Sequence, residues 1–114
     1  MSVQAQFAPV VQTNVTGTGA VSILPASGIN FRYRDLVGLV ITTTNAAAAT
    51  ITISDGTKTV LVLNYPASAA VPTVPLVVSF GDVPLAQSVG NAAWTATVSA
   101  NASGVNVSAQ YQER

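Results

Sequence analysis

Cysteine and histidine do not occur in this chain at all. Without cysteine there are no disulfides and no thiolate metal sites. Without histidine, the commonest general base, the commonest metal ligand and the usual near-neutral pH switch are missing together. Charge is scarce as well. Four Lys and Arg stand against four Asp and Glu, so the formal net charge is +0. Only 7% of residues are charged, where ordinary soluble domains carry roughly 25%. A nucleic-acid binder needs clustered cations to neutralise phosphates, and so small and balanced a set argues against that partner. No apolar run approaches the ~18 residues of a membrane span, which argues against a membrane role. The opening MSVQAQFAPVVQ has neither the basic n-region nor the continuous apolar h-region of a secretory signal. The expectation is a product made in the cytoplasm and left unprocessed. The sequons at Asn14, Asn101 and Asn106 are then expected to go unused, because glycosylation requires secretion.

The apolar share is 49%, much of it Ala and Val, with aromatics at 6%. A surface rich in Ala, Thr, Ser and Asn repels itself little, and near-zero net charge promotes association. Such a surface suits a protein packed against copies of itself or a larger assembly. At 114 residues the chain is long enough for one domain to bury a core without covalent staples.

The organising stretch runs from Leu36 to Tyr65 and reads as a three-strand meander. Ile51 and Ile53 alternate with Thr50, Thr52 and Ser54, the period-2 pattern of a strand with one face buried. Asp55-Gly56 tolerates the positive φ of a tight turn, and Thr59 to Leu63 resumes as a β-branched and aliphatic run. A two-residue loop pairs Ile51 with Val60 and turns Val60 and Val62 inward. A three-residue loop closing at Gly56 pairs Ile51 with Thr59 and turns Leu61 and Leu63 inward, since one residue of slip flips every side chain. The second register is favoured because it moves Lys58 off the isoleucine face.

Around this stretch, Leu36 to Thr44 is the most continuously apolar strand and is expected to be central in its sheet. Asn45 to Ala48 is read as a loop, the Ala46–Ala49 run being too short to nucleate a helix. Ser2 to Asn14 reads as an arm or edge strand anchored by Phe7, Val10 and Val11, with Pro9 barring a central position. Ala20 to Leu24 is a short strand, Tyr65 to Pro75 a proline-rich crossing, and Leu76 to Phe80 another strand. Ala92, Trp94, Ala96 and Val98 alternate inward, as do Val105, Val107, Ala109 and Tyr111, and these two segments read as a second hairpin. The sum is an all-β antiparallel β-sandwich of about eight strands. The long proline-rich crossings favour a jelly-roll or Greek-key path. Residues 1–15 form the arm or edge strand and 16–114 the single domain.

Few residues invite chemistry. Phe31-Arg32-Tyr33-Arg34-Asp35 holds two of the four cations, with the aromatics expected on one face and the arginines on the other. It is either a contact patch for an acidic partner or a charge-protected edge strand with Arg34 paired to Asp35 or Asp82. Phe7, Arg32 and Arg34 are the candidate interface residues. Asp55, Asp82 and Glu113 could form a glycosidase pair or a Ca²⁺ site, but no ligand array surrounds them, and turns explain Asp55 and Asp82. Trp94, Tyr33, Tyr65 and Tyr111 could stack on a sugar, yet Trp94 alternates in phase with Ala96 and Val98 as a core residue would. Serines are abundant, but no base is in sight to activate one. No enzyme activity, cofactor, metal or catalytic residue is expected.

In the C-terminal half, Pro84-Leu85, then Gly90-Asn91-Ala92-Ala93-Trp94-Thr95-Ala96-Thr97-Val98-Ser99, then Gly104-Val-Asn-Val-Ser-Ala-Gln-Tyr111-Gln-Glu113 resembles small β-sandwich virion proteins of tailed bacteriophages. The Thr50-Ile-Thr-Ile-Ser-Asp-Gly-Thr57 hairpin is similar too. The resemblance covers roughly Leu36 to Arg114 and fades over Ser2 to Asn14. It implies a capsid decoration (cementing) protein located in the virion. Such a protein sits on the shell as a small homo-oligomer, a dimer or trimer, and binds the major capsid protein or another virion protein. Tail- or fibre-associated modules come next, and a carbohydrate-binding module is the alternative. The resemblance transfers no site residue by residue.

Overall fold

The structure, a computed structural model, describes residues 10–43, 48–65, 75–80, 82–100 and 104–114. Within them lie β1 (Val10–Val15), β2 (Val21–Leu24), β3 (Arg34–Thr43), β4 (Ala49–Ser54), β5 (Thr59–Tyr65), β6 (Leu76–Ser79), β7 (Trp94–Val98) and β8 (Val105–Glu113). The described residues contain no helix. Two four-stranded antiparallel sheets form, in the orders β1-β8-β3-β6 and β2-β7-β4-β5. The first and last strands pair, as do β2 with β7, β3 with β6 and β4 with β5, and successive pairs alternate between the sheets. The chain is therefore one long antiparallel ribbon, folded at the β4–β5 turn and rolled so that its two layers face each other. Rolling adds the β3–β8 and β4–β7 ladders.

The alternation in sequence becomes the core directly. Ile51 and Ile53 of β4, Trp94, Ala96 and Val98 of β7, and Val105, Val107 and Ala109 of β8 are all buried and face one another between the sheets. Leu36, Leu39 and Ile41 join them from β3, which lies inside its sheet as its apolar run predicts. Full burial of a side chain of this size is worth about 1.5–3 kcal/mol. Trp94 has no exposed surface, and its indole Nε1 donates to the Arg34 carbonyl at 2.6 Å. It is a core residue with its one polar atom satisfied.

Three expectations are corrected. The stretch from Leu36 to Tyr65 is not a meander, because β3 lies in one sheet and β4–β5 in the other. Nor do β7 and β8 form a hairpin, since they too lie in opposite sheets. Adjacent strands sit about 4.8 Å apart and facing sheets about 10 Å. A connection of five or six residues spans either gap, so alternation cannot tell hairpin from crossing. Third, the β4–β5 turn matches neither short loop. Ser54 pairs with Thr59 and, past a bulge, Ile51 pairs with Leu63. The turn runs from Asp55 to Lys58, closed by the Asp55 N–H donating to the Lys58 carbonyl at 3.1 Å. Leu61 and Leu63 do turn inward, opposite Ile53 and Ile51. β1 is the edge strand of its sheet, paired to β8. The rest of the expected arm, Phe7 included, lies outside the described residues, as do most of the Asn45–Ala48 loop and the Tyr65–Pro75 crossing.

Candidate interaction surface

All eight acidic and basic side chains belong to one end of the sandwich. Arg34 and Asp35 open β3, and Glu113 and Arg114 close β8 beside them. Asp55 and Lys58 sit in the β4–β5 turn, which is tied to Gln87 and Ser88. Asp82 lies between Phe80 and Leu85, both bonded to the start of β3. Arg32 accepts at its carbonyl from the Asn91 amide.

Most of these charges stitch that end together. The Asp55 carboxylate is buried and accepts from the Ser88 hydroxyl at 2.5 Å, the Ser88 amide at 2.9 Å, the Thr57 amide and hydroxyl at 3.1 and 3.0 Å, and the Lys58 amide at 3.1 Å. Burial alone pushes such a carboxyl up, but the bonds from Ser88, Lys58 and Thr57 outweigh it and hold Asp55 well below the usual carboxylate range. Gln87 is buried and joins four segments. Its Oε1 accepts from the Arg34 amide at 2.9 Å, and its Nε2 donates to the Asp55 and Ala92 carbonyls at 3.0 and 2.7 Å. Its amide donates to Asp35 at 2.9 Å, and its carbonyl accepts from Arg114 at 3.1 Å. Arg114 also forks onto the Asp35 carboxylate at 2.8 and 3.2 Å. Among the described residues no buried side-chain N or O lacks a partner.

This cluster is a structural lock. Ser88 donates its proton to Asp55, but a carboxylate already saturated by donors and held ionised is a poor general base. Among the described residues the Ser88 hydroxyl meets only the Asp55 carboxylate and the Thr57 hydroxyl, with no second base bonded to it.

The same end carries a rigid display loop. The Arg32 amide donates to the Ile29 carbonyl at 3.0 Å, closing a turn, and the Ser27 hydroxyl donates to the carbonyls of Ile29 and Arg32 at 3.0 and 3.2 Å. Asn91, in the left-handed region at φ 54, accepts from the Gly28 amide at 2.8 Å and donates to Asn30 at 3.2 Å. Gly90 sits so close behind that a Cβ there would lie 2.5 Å from the Asn30 carbonyl oxygen. On this scaffold Phe31 is 75% exposed, with Ile29 and Val89 each 45% exposed.

Of the candidate interface residues, Arg32 is exposed and its guanidinium meets no carboxylate among the described residues. Arg34 is committed internally, to Glu113 at 3.1 Å, to the Pro25 carbonyl at 2.8 Å and over the Tyr111 ring at 4.8 Å. Its partner is thus neither Asp35 nor Asp82. Residues 31–33 are not a strand, so the expected split of aromatics and arginines between two faces does not form. The segment also opens into β3, which is interior in its sheet. Sequence reasoning missed Gln87 and Ser88, since a Gln-Ser pair in a loop has no distinguishing pattern. Gly90-Asn91 is a dipeptide suited to a tight turn, and that turn holds the display loop.

Outside this end the strands present no charge. The outward row of the first sheet, residues 10–14, 38–42, 77–79 and 106–110, is Val, Gln, Asn, Gly, Thr and Ser. Within it Val10, Val40 and Val77 are 55%, 40% and 65% exposed. The outward row of the second sheet is Thr50, Thr52, Ser54, Thr95 and Thr97, with Val62 at the β5 edge. β5 itself is an edge strand of seven residues with neither charge nor proline. Compared with protein-family models, with curated proteins and with solved structures, the chain matches none.

Proposed function

We propose that this is a non-catalytic structural protein of a tailed-bacteriophage virion, a capsid decoration (cementing) protein that self-associates and binds the capsid shell. The observation that carries this reading is the gathering of every ionic side chain at one end, which leaves both sheet faces uncharged with valines exposed. Monomers guard long sheet edges with charge, proline or cover, and β5 has neither charge nor proline. Uncharged faces of small apolar and hydroxyl side chains lose little on desolvation and can pack closely against another subunit. The rolled ribbon fits the jelly-roll path, an architecture that capsid and lectin domains share. Fold alone does not assign function, so the virion setting rests on the resemblance of the 36–114 pattern. A carbohydrate-binding reading is weakened because Trp94 and Tyr65 are buried, and Tyr33 and Tyr111 lie under Arg114 and Arg34.

The test is the mass of the purified protein by light scattering, together with co-sedimentation on phage capsids that lack decoration. The expected result is an oligomer that pellets with capsids at saturating stoichiometry. A monomer at high concentration that stays in the supernatant refutes the proposal.

A further inference from the structure

The eight charged side chains sort into those with partners and those without. Arg34 is paired with Glu113, Arg114 with Asp35, and Asp55 is saturated by hydrogen bonds. Arg32, Lys58 and Asp82 are left, all exposed and with no ionic partner among the described residues. Two of the three stand beside the most exposed large hydrophobic side chains among the described residues. Arg32 follows Phe31, 75% exposed, and Asp82 precedes Val83, 78% exposed.

Each of the two tips thus combines one unpaired ion with one exposed apolar group, and the ions have opposite signs. Both tips belong to the end where β3 begins. The 29–32 turn leads into that strand, and the segment after Asp82 is fastened to it by the reciprocal Leu36–Leu85 backbone bonds at 2.9 and 2.8 Å. The first tip is held by the Ser27, Asn91 and Gly90 contacts, so little ordering is required when it docks. Aromatic residues and arginine are the side chains enriched at interface cores, and complementary charges set register and suppress wrong pairings.

We infer that the Phe31-Arg32 tip of one copy docks on the Asp82-Val83 tip of a second copy, Arg32 pairing with the partner copy's carboxylate while the apolar side chains cover one another. Such a contact forms twice across a two-fold axis, or once per interface around a ring. The inference rests on the self-association proposed above and names its contact.

The experiment is sedimentation velocity of the full chain over a range of concentrations, with thermal midpoints as the folding control. Arg32→Glu and Asp82→Lys should each raise the dissociation constant at least tenfold, and the neutral variants Arg32→Gln and Asp82→Asn should raise it less. The double variant R32E/D82K should return it to within about threefold of wild type. Lys58→Glu, at the remaining unpaired cation, should leave it unchanged. Read at a concentration where every chain is monomeric, so that lost association does not enter, thermal midpoints should not move, because none of these side chains has an ionic partner among the described residues. Single variants that associate like wild type, or a double variant that does not recover, overturn the inference while leaving the assembly reading intact. A wild-type chain that is monomeric throughout overturns both.

Discussion

Removing the Asp55 carboxylate should unlock the charged end while leaving the hydrophobic core whole. Asp55 holds two segments that are remote from each other in sequence: its own turn, through Thr57 and Lys58, and the 85–93 connection, through Ser88. A hydrogen bond to a charged group has a net worth of about 1.5–3 kcal/mol. Counting one such bond at the lower value for each segment, and letting the other donors turn to water, Asp55→Ala should cost about 3 kcal/mol. With a urea slope of about 1.5 kcal/mol/M, the unfolding midpoint should fall by about 2 M. Asp55→Asn keeps the shape but turns an amide NH2, itself a donor, toward donors, so it should fall between. The loss should also depend on pH. Because the folded carboxyl titrates below its unfolded value of about 3.9, the unfolded chain binds more protons across that range, and stability rises with pH there. The contribution is complete above about pH 4 and fades as pH drops toward the depressed folded value. The gap between wild type and Asp55→Asn should therefore narrow from pH 5 to pH 2.5. Urea titrations monitored by Trp94 fluorescence would read both quantities. An Asp55→Ala variant within about 0.5 kcal/mol of wild type, or a gap that ignores pH, refutes the reasoning.

Gly90→Ala drives a Cβ into the Asn30 and Arg32 carbonyl oxygens at 2.5 and 3.0 Å. It should cost about 1–3 kcal/mol, seen as a lower thermal midpoint with shifted amide resonances across residues 28–32. Trp94→Phe strands the Arg34 carbonyl and leaves a void, so about 2–3 kcal/mol should be lost, measurable by calorimetry. Val77→Lys and Val62→Lys, at exposed positions of the two sheets, should change monomer stability by no more than about 0.5 kcal/mol. Both should nevertheless weaken self-association or capsid binding in the co-sedimentation assay. Variants that bind as wild type does would remove the uncharged faces from the docking surface.

What could be read in the sequence was the facing of side chains. Alternation through Ile51-Ile53, Trp94-Val98 and Val105-Ala109 depends only on the pleat, and it placed the core residues correctly. Sheet membership was illegible at the 44–48 and 99–104 connections, because a short link reaches a neighbouring strand and an opposite sheet equally well. The lock at the charged end was illegible for a different reason. Gln87 bonds to residues 52 and 53 positions before it, Asp35 and Arg34, and no local pattern marks such a partner. Asp55 was seen as a turn former, which it is, but its hold on Ser88, 33 positions later, depends on the roll of the ribbon.

The placement of charge has a structural cause, and that cause bears on association. At the end where β3 starts and β8 finishes, the 25–33 and 80–93 connections meet with few ladder bonds to satisfy their backbone groups. Buried backbone donors and acceptors still need partners. Asp35, Asp55, Gln87 and Arg114 supply them from side chains, so the ionic groups of the chain are drawn to that end. Along the strands the ladders satisfy the backbone, and the outward rows need no charge for folding. What they display is then free to be small, apolar and hydroxylated, which suits docking. The few ions left over, Arg32, Lys58 and Asp82, are exposed on the periphery of the lock. There they are not tied into the lock, and in the proposed assembly they would set the direction from which a second copy approaches.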